Sequence, residues 1–185
     1  MKIYEYSIKN TFTIQNIAQN LHILTQNYNS VCFIFVGTDA NMGDSLGPLT
    51  GTLTDFLCDF CHFYGSLQNP ITAKEVPFIE NFIKNAHPNS FIVVIDAALG
   101  KNEDVGLIKV LEGGIQPGLG VNKNLPKIGD ASIIGVMNEK SPINNMNLTI
   151  TRLSLVYNMA NTIKEGILLF LRQKQAKIGQ YKKVL

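Results

Sequence analysis

Apolar and polar positions change period several times along the chain, and the changes divide it into elements. In TIQNIAQNLHILTQN, Ile14, Ile17, Leu21 and Leu24 recur at spacings of three, four and three. This puts one apolar stripe on a helix whose other face is Asn and Gln. The runs VCFIFVG (31–37), FCHFYG (60–65) and FIVVIDA (91–97) are too short and too rich in β-branched and aromatic residues for helices. Continuous apolar runs of this kind predict strands covered on both faces, as in a parallel sheet. Between them, GPLTGTLTDFLCD (47–59) and EVPFIENFIKNAH (75–87) read as helices, the second closed by Pro88. Two further strands are expected at VGLIKVLEG (105–113) and ASIIGVMN (131–138), joined by the Gly- and Pro-rich connection GIQPGLGVNKNLPKIGD. A loop of that length inside a compact domain points to a functional segment. Last, Leu153, Val156, Ala160, Ile163, Ile167 and Phe170 alternate at spacings of three and four, which predicts a long amphipathic helix packed on the sheet.

The order β-α-β-α-β argues for a layered α/β fold. A chain of 185 residues is the size of one domain, with residues 1–12 and 173–185 expected at its periphery. No internal repeat or low-complexity tract interrupts it. A content of 45% hydrophobic and 16% charged residues excludes disorder. The net charge of +2 is too small for a nucleic-acid footprint; Arg172, Lys174, Lys177, Lys182 and Lys183 read as a solvated basic tail. MKIYEYSIKNTF lacks the order of a signal peptide, so a cytoplasmic location is expected. No apolar window approaches the ~18 residues that span a bilayer, so no membrane partner is expected. Three cysteines, Cys32, Cys58 and Cys61, are an odd number in a reducing compartment and argue against a disulfide framework.

The candidate chemistry lies in GTDANMGDSLGP, which leaves the run VCFIFV and turns through Gly37, Gly43 and Gly47 into a helix with Pro48 in its first turn. Sites in open α/β sheets gather at the carboxyl ends of strands, which makes Asp39, Asn41, Asp44 and Ser45 candidates. At a helix N-terminus Asp44 should ionise more easily than in water; alternatively Asp44 or Ser45 only caps the helix. Gly43-Asp44-Ser45-Leu46-Gly47 also fits G-x-S-x-G and the GDSL esterase block. A serine nucleophile needs a downstream base, however, and the last histidine is His87. A phosphate-binding loop is excluded by the missing Gly-Lys-Ser/Thr and G-x-G-x-x-G patterns. Cys58-Asp-Phe-Cys61-His62 matches C-x-x-C-H but lacks a second ligand pair, and is expected to be a helix-to-strand junction with two buried thiols. Asp96 ends the otherwise apolar FIVVID and must lie at the rim of the sheet, because an unpaired buried charge is costly. If the strands before Gly37 and Asp96 are neighbours, Asp44 and Asp96 meet. Two carboxylates in one site split their pKa values, leaving one to accept and one to donate a proton. Two carboxylates can equally begin a divalent-metal site.

The segments GTDANMGDSLGPLTG, YGSLQNPI, HPNSFIVVIDAALG, GIQPGLGVNKNLPKIGDASIIGVMN and TRLSLVYNMA, which cover most of the chain from Val31 to Ala160, resemble the YyaC family of sporulation proteases. That family is similar to the spore germination protease and, more distantly, to the hydrogenase-maturation endopeptidases. The resemblance implies a phosphorylase/hydrolase-like three-layer α/β/α sandwich around a central mixed, mostly parallel sheet. It implies an aspartic-type catalytic pair at Asp44 and Asp96, with Gly118 and Gly120 near the site; beside them Asp39, Asn41, Ser45 and Asp130 are expected in support. The maturation endopeptidases bind nickel through acidic residues at the same two positions and a later histidine; no histidine follows Asp96 here. The implied function is a metal-independent, cofactor-free peptidase of the forespore or spore interior. Its substrates would be proteins or peptides such as the small acid-soluble spore proteins, and a homo-oligomer is expected because the germination protease is one. The alternative is a non-catalytic spore protein that binds a peptide or partner on the same scaffold. A metal-dependent maturation-type endopeptidase and a serine esterase at Ser45 stand further off.

Overall fold

A computed structural model of the chain describes residues 2–116, 127–140 and 148–182, with side chains described as far as residue 178. The element order is β1 (Ile3–Ser7), α1 (Thr13–Leu24), β2 (Ser30–Phe35), a 3-10 turn (Gly43–Ser45) running into α2 (Leu46–Leu53), β3 (Cys61–Tyr64), α3 (Val76–Ala86), β4 (Ser90–Gly100), β5 (Leu107–Glu112), β6 (Ala131–Glu139) and α4 (Leu153–Lys182). The strands form one sheet in the order β1-β5-β6-β4-β2-β3. β3, β2, β4 and β6 are parallel neighbours, whereas β5 is antiparallel to both β6 and β1. This is a mixed α/β fold, as expected.

Strand alternation sorts the core into two layers. Phe33, Phe35, Val93, Ile95 and Ile133 face α1, α2 and α4, where they meet Ile17, Leu21, Leu46, Val156, Ile163 and Phe170. Cys32, Ile34, Val36, Ile92 and Val94 face the other way, onto Val76 and Ile83 of α3 and onto Ile71 and Ile128. The central strands are therefore apolar on both faces because both are covered. Full burial of each large side chain contributes roughly 1.5–3 kcal/mol relative to exposure.

The differences from the sequence expectation have local causes. The helix expected over 47–59 ends at Leu53. Thr50, Thr52 and Thr54 each turn a hydroxyl back to the carbonyl four residues earlier, and Thr54 is already extended. Such β-branched, back-bonding residues weaken a helix. Leu153, placed on the buried stripe of α4 by its spacing, is 57% exposed. Cys58 and Cys61, expected as two buried thiols, are joined as a disulfide. Residues 1–12 contain the edge strand β1, whose polar alternation hid it. α4 continues through the basic stretch, and the Lys174 ammonium reaches the Tyr28 carbonyl at 2.7 Å and sits over the Phe170 ring. Among the described residues no helix is long and apolar enough to cross a membrane.

Helix α2 can lie against the end of β2 only because position 47 has no side chain. A Cβ there would fall on the Val36 carbonyl group, which as backbone cannot move aside. Gly47→Ala is expected to lower the free energy of unfolding by about 2 kcal/mol or more, read as a reduced urea midpoint at unchanged m-value.

Candidate active site

The site is built where β2 leaves the sheet and β4 does not. β2 and β4 pair in register from Ser30↔Ser90 to Phe35↔Ile95, and the Val36 N–H donates to the Ile95 carbonyl at 2.8 Å. The next residue, Gly37, takes φ +139°, and a Cβ on it would collide with the Asp44 carbonyl. From there the chain departs, with the Gly37 N–H donating to the Ile71 carbonyl and the Thr38 N–H to the Asp44 carbonyl. β4 instead continues to Gly100, paired with β6 from Asp96↔Ile134 to Gly100↔Glu139, with a register shift at Ala98/Leu99. Irregularities of this kind recur beside active sites. Asp96 is thus not the last residue of its strand, as its sequence position suggests. It is the first residue above the point where β2 has gone.

Asp44 reaches the same place from the 3-10 turn. Its charge is the second cause, after burial, of a shift that pushes the Asp96 carboxyl up to about 8 from the ordinary 3.8. The Ala97 N–H, donating to Asp96 Oδ1 at 2.8 Å, opposes that shift. Because Oδ1 accepts this bond, the proton of the neutral acid belongs on Oδ2. Burial also raises the pKa of Asp44, with a backbone hydrogen bond from Thr38 holding it back. The helix N-terminus was expected to lower it; the shift runs the other way, because desolvation outweighs the Thr38 hydrogen bond.

The other candidates divide. Asn41 lies just before the turn and accepts a hydrogen bond on Oδ1 from Thr149 Oγ1 at 3.0 Å, which ties the segment before α4 to the Asp44 loop. Asp39 is exposed on the same loop. Ser45 occupies the N-cap position of α2 but makes no side-chain cap bond. Its hydroxyl donates to the Met42 carbonyl at 2.6 Å, so neither Ser45 nor Asp44 is consumed by capping α2. The histidines lie elsewhere. His22 bonds Gln173, while His62 stacks on His87, whose Nε2 meets the Tyr64 hydroxyl. No imidazole stands ready to activate Ser45. Asp130 is not brought to the site: its backbone N–H and Oδ2 both bond Ile92, four residues before Asp96 and roughly 13 Å down the strand. Gly118 and Gly120 lie outside the described residues. Among the described residues no group of three or more His, Cys, Asp or Glu gathers as a metal site. The backbone donors of Thr38 and Ala97 had no signal in the sequence, since every non-proline residue carries the same N–H.

The family model described as "Protein of unknown function (DUF1256)" matches residues 3–166. The chain is 39% identical over 138 residues to "Uncharacterized protein YyaC" of Bacillus subtilis (strain 168), covering 74% of this chain and 67% of that protein. In three dimensions it is similar to the [NiFe] hydrogenase maturation protease HycI from Thermococcus kodakarensis KOD1, with a TM-score of 0.53 and 14% identity over 83% of this chain and 99% of that one. At that identity the likeness is one of fold.

The shift of Asp96 has a consequence for stability. A carboxyl whose folded pKa is raised stabilises the fold fully below the unfolded value near 3.8, and that contribution drains away as pH rises through about 8. Asp96→Asn cannot ionise. Its melting temperature is expected to exceed that of the wild type by several degrees at about pH 9 and to converge with it towards about pH 4, checked by calorimetry across that range.

Proposed function

The chain belongs to the DUF1256 family, and from that premise we propose that it is a peptidase whose carboxylate pair, Asp44 and Asp96, activates water against a peptide carbonyl without a metal. The observation that carries this reading is the geometry where β4 outruns β2: there the half-buried Asp96 carboxyl faces Asp44, and desolvation with that neighbouring charge pushes its pKa up to about 8, so that it stays largely protonated at neutral pH. The two environments divide the work. Asp44 takes the proton of the attacking water, and the neutral acid of Asp96 donates a hydrogen bond to the substrate carbonyl, stabilising charge as it develops on oxygen. The maturation protease named above shares the fold and supports the assignment to peptide hydrolysis; the meeting of Asp44 and Asp96 supports an aspartic mechanism. The resemblance to sporulation proteases supports small acid-soluble spore proteins as substrates.

The test is cleavage of small acid-soluble spore proteins by wild type, Asp44→Asn, Asp96→Asn and Ser45→Ala, each with and without a chelator. Cleavage is expected to survive chelation and Ser45→Ala, and to fall at least 100-fold in either aspartate variant. The wild-type rate should decline as pH rises through about 8, where Asp96 loses its proton. Full activity in Asp44→Asn or Asp96→Asn would overturn the pair. Binding of the spore proteins without cleavage would establish the non-catalytic alternative.

A further inference from the structure

A second chemically reactive pair lies away from the carboxylates. Cys58, in the connection from α2 to β3, and Cys61, the first residue of β3, have their Cα atoms 5.9 Å apart and their sulfurs joined, a separation typical of disulfides. The two differ in access. Cys61 opens β3 and is 6% exposed within the core. Cys58 is partly exposed and follows Leu57, which is 92% exposed. The third cysteine, Cys32, is buried and outside the bond.

We propose that Cys58 and Cys61 are a reversible thiol–disulfide site, with Cys58 the sulfur that exchanges with a low-molecular-weight disulfide and Cys61 the sulfur that resolves the adduct. A bond closing a loop with two intervening residues removes little entropy from the unfolded chain, so it adds less stability than a bridge between distant segments. Nor does β3 need it. The strand is held by its ladder to β2 and by Phe63 stacked on Phe33 and Phe35. The bond is thus expendable to the fold, and one of its two residues, Cys58, is only partly buried where it packs on the core. A structural metal at the same cysteines would need further ligands, and the neighbouring His62 instead stacks on His87, with ring centroids 3.6 Å apart.

The unequal access sets the order of events. The Cys58 thiol gives its proton to solvent, and its thiolate attacks one sulfur of the small disulfide, forming a mixed disulfide and expelling one thiolate. The Cys61 thiolate, formed by the same loss of a proton, then attacks the Cys58 sulfur. The protein disulfide forms and the second thiolate leaves. The cysteine pair loses two electrons, the small disulfide gains them, and the two released thiolates take up two protons. A dithiol runs the sequence backwards.

The test is a thiol count on native protein treated with oxidised glutathione or with dithiothreitol and then unfolded. Of the three cysteines, one is expected to titrate after oxidised glutathione and all three after dithiothreitol, with the count returning to one on reoxidation. Cys61→Ser should retain a single glutathione adduct at Cys58 by mass spectrometry, whereas Cys58→Ser should collect none at Cys61. The proposal is overturned by three thiols persisting after oxidised glutathione, by a single thiol persisting after dithiothreitol under native conditions, or by a folded Cys61→Ser that takes no adduct. Should either serine variant fail to fold by circular dichroism, the wild-type count in both directions decides the question alone.

Discussion

The hydrogen bond from the Val36 N–H to the Ile95 carbonyl is the last one shared by β2 and β4, and the candidate site depends on what each strand does beyond it. β2 stops because the chain must leave through Gly37, in a conformation and at a distance from the Asp44 carbonyl that a side chain would forbid. β4 goes on because β6 keeps pairing with it as far as Gly100↔Glu139. One strand therefore carries a carboxylate into a region its former neighbour has vacated, and the loop made by that neighbour brings in a second. The layers serve this geometry: α2 closes on the end of β2 through Gly47, while α3 covers the opposite face lower down.

Competing electrostatic effects meet at these two carboxylates. Each unit of pKa shift corresponds to about 1.4 kcal/mol. Asp96 moves from 3.8 to about 8, through burial first and the neighbouring charge of Asp44 second. Desolvation and like-charge repulsion outweigh the Ala97 hydrogen bond at Asp96, and one carboxyl is held neutral at a pH where free aspartate is ionised. The fold carries this arrangement at a cost to its own stability, as functional sites commonly do.

Fold and chemistry rest on different grounds here. The likeness to a maturation protease at 14% identity extends over most of both chains and concerns architecture. Architecture alone does not carry activity. The proposed chemistry rests on particular side chains: Asp44 and Asp96 together, Ser45 with its hydroxyl committed to the Met42 carbonyl, and histidines engaged with Gln173, Tyr64 and one another. The G-x-S-x-G pattern sits on a glycine-rich turn with no imidazole at its serine. Its glycines answer to close backbone approach, and its serine answers to a local turn bond.

Much of the architecture was legible in the chain because its cause is local and periodic. Apolar runs of strand length, three-and-four spacings and the glycines after VCFIFV located β2, β4, β6, α1, α3 and α4 and singled out Asp44 and Asp96. Where competing local effects are nearly balanced, the reading slipped, as with the threonine-rich end of α2 and the polar edge strand β1. It failed where the cause is long-range. That Asp130 faces Ile92 at the other end of the sheet, that β4 outruns β2, and that Asp44 is harder to ionise than in water all depend on which segments meet in space. Periodicity records which face of an element is buried. Only the packed structure decides what stands beside a given carboxylate, and so how much water and how much like charge that carboxylate feels.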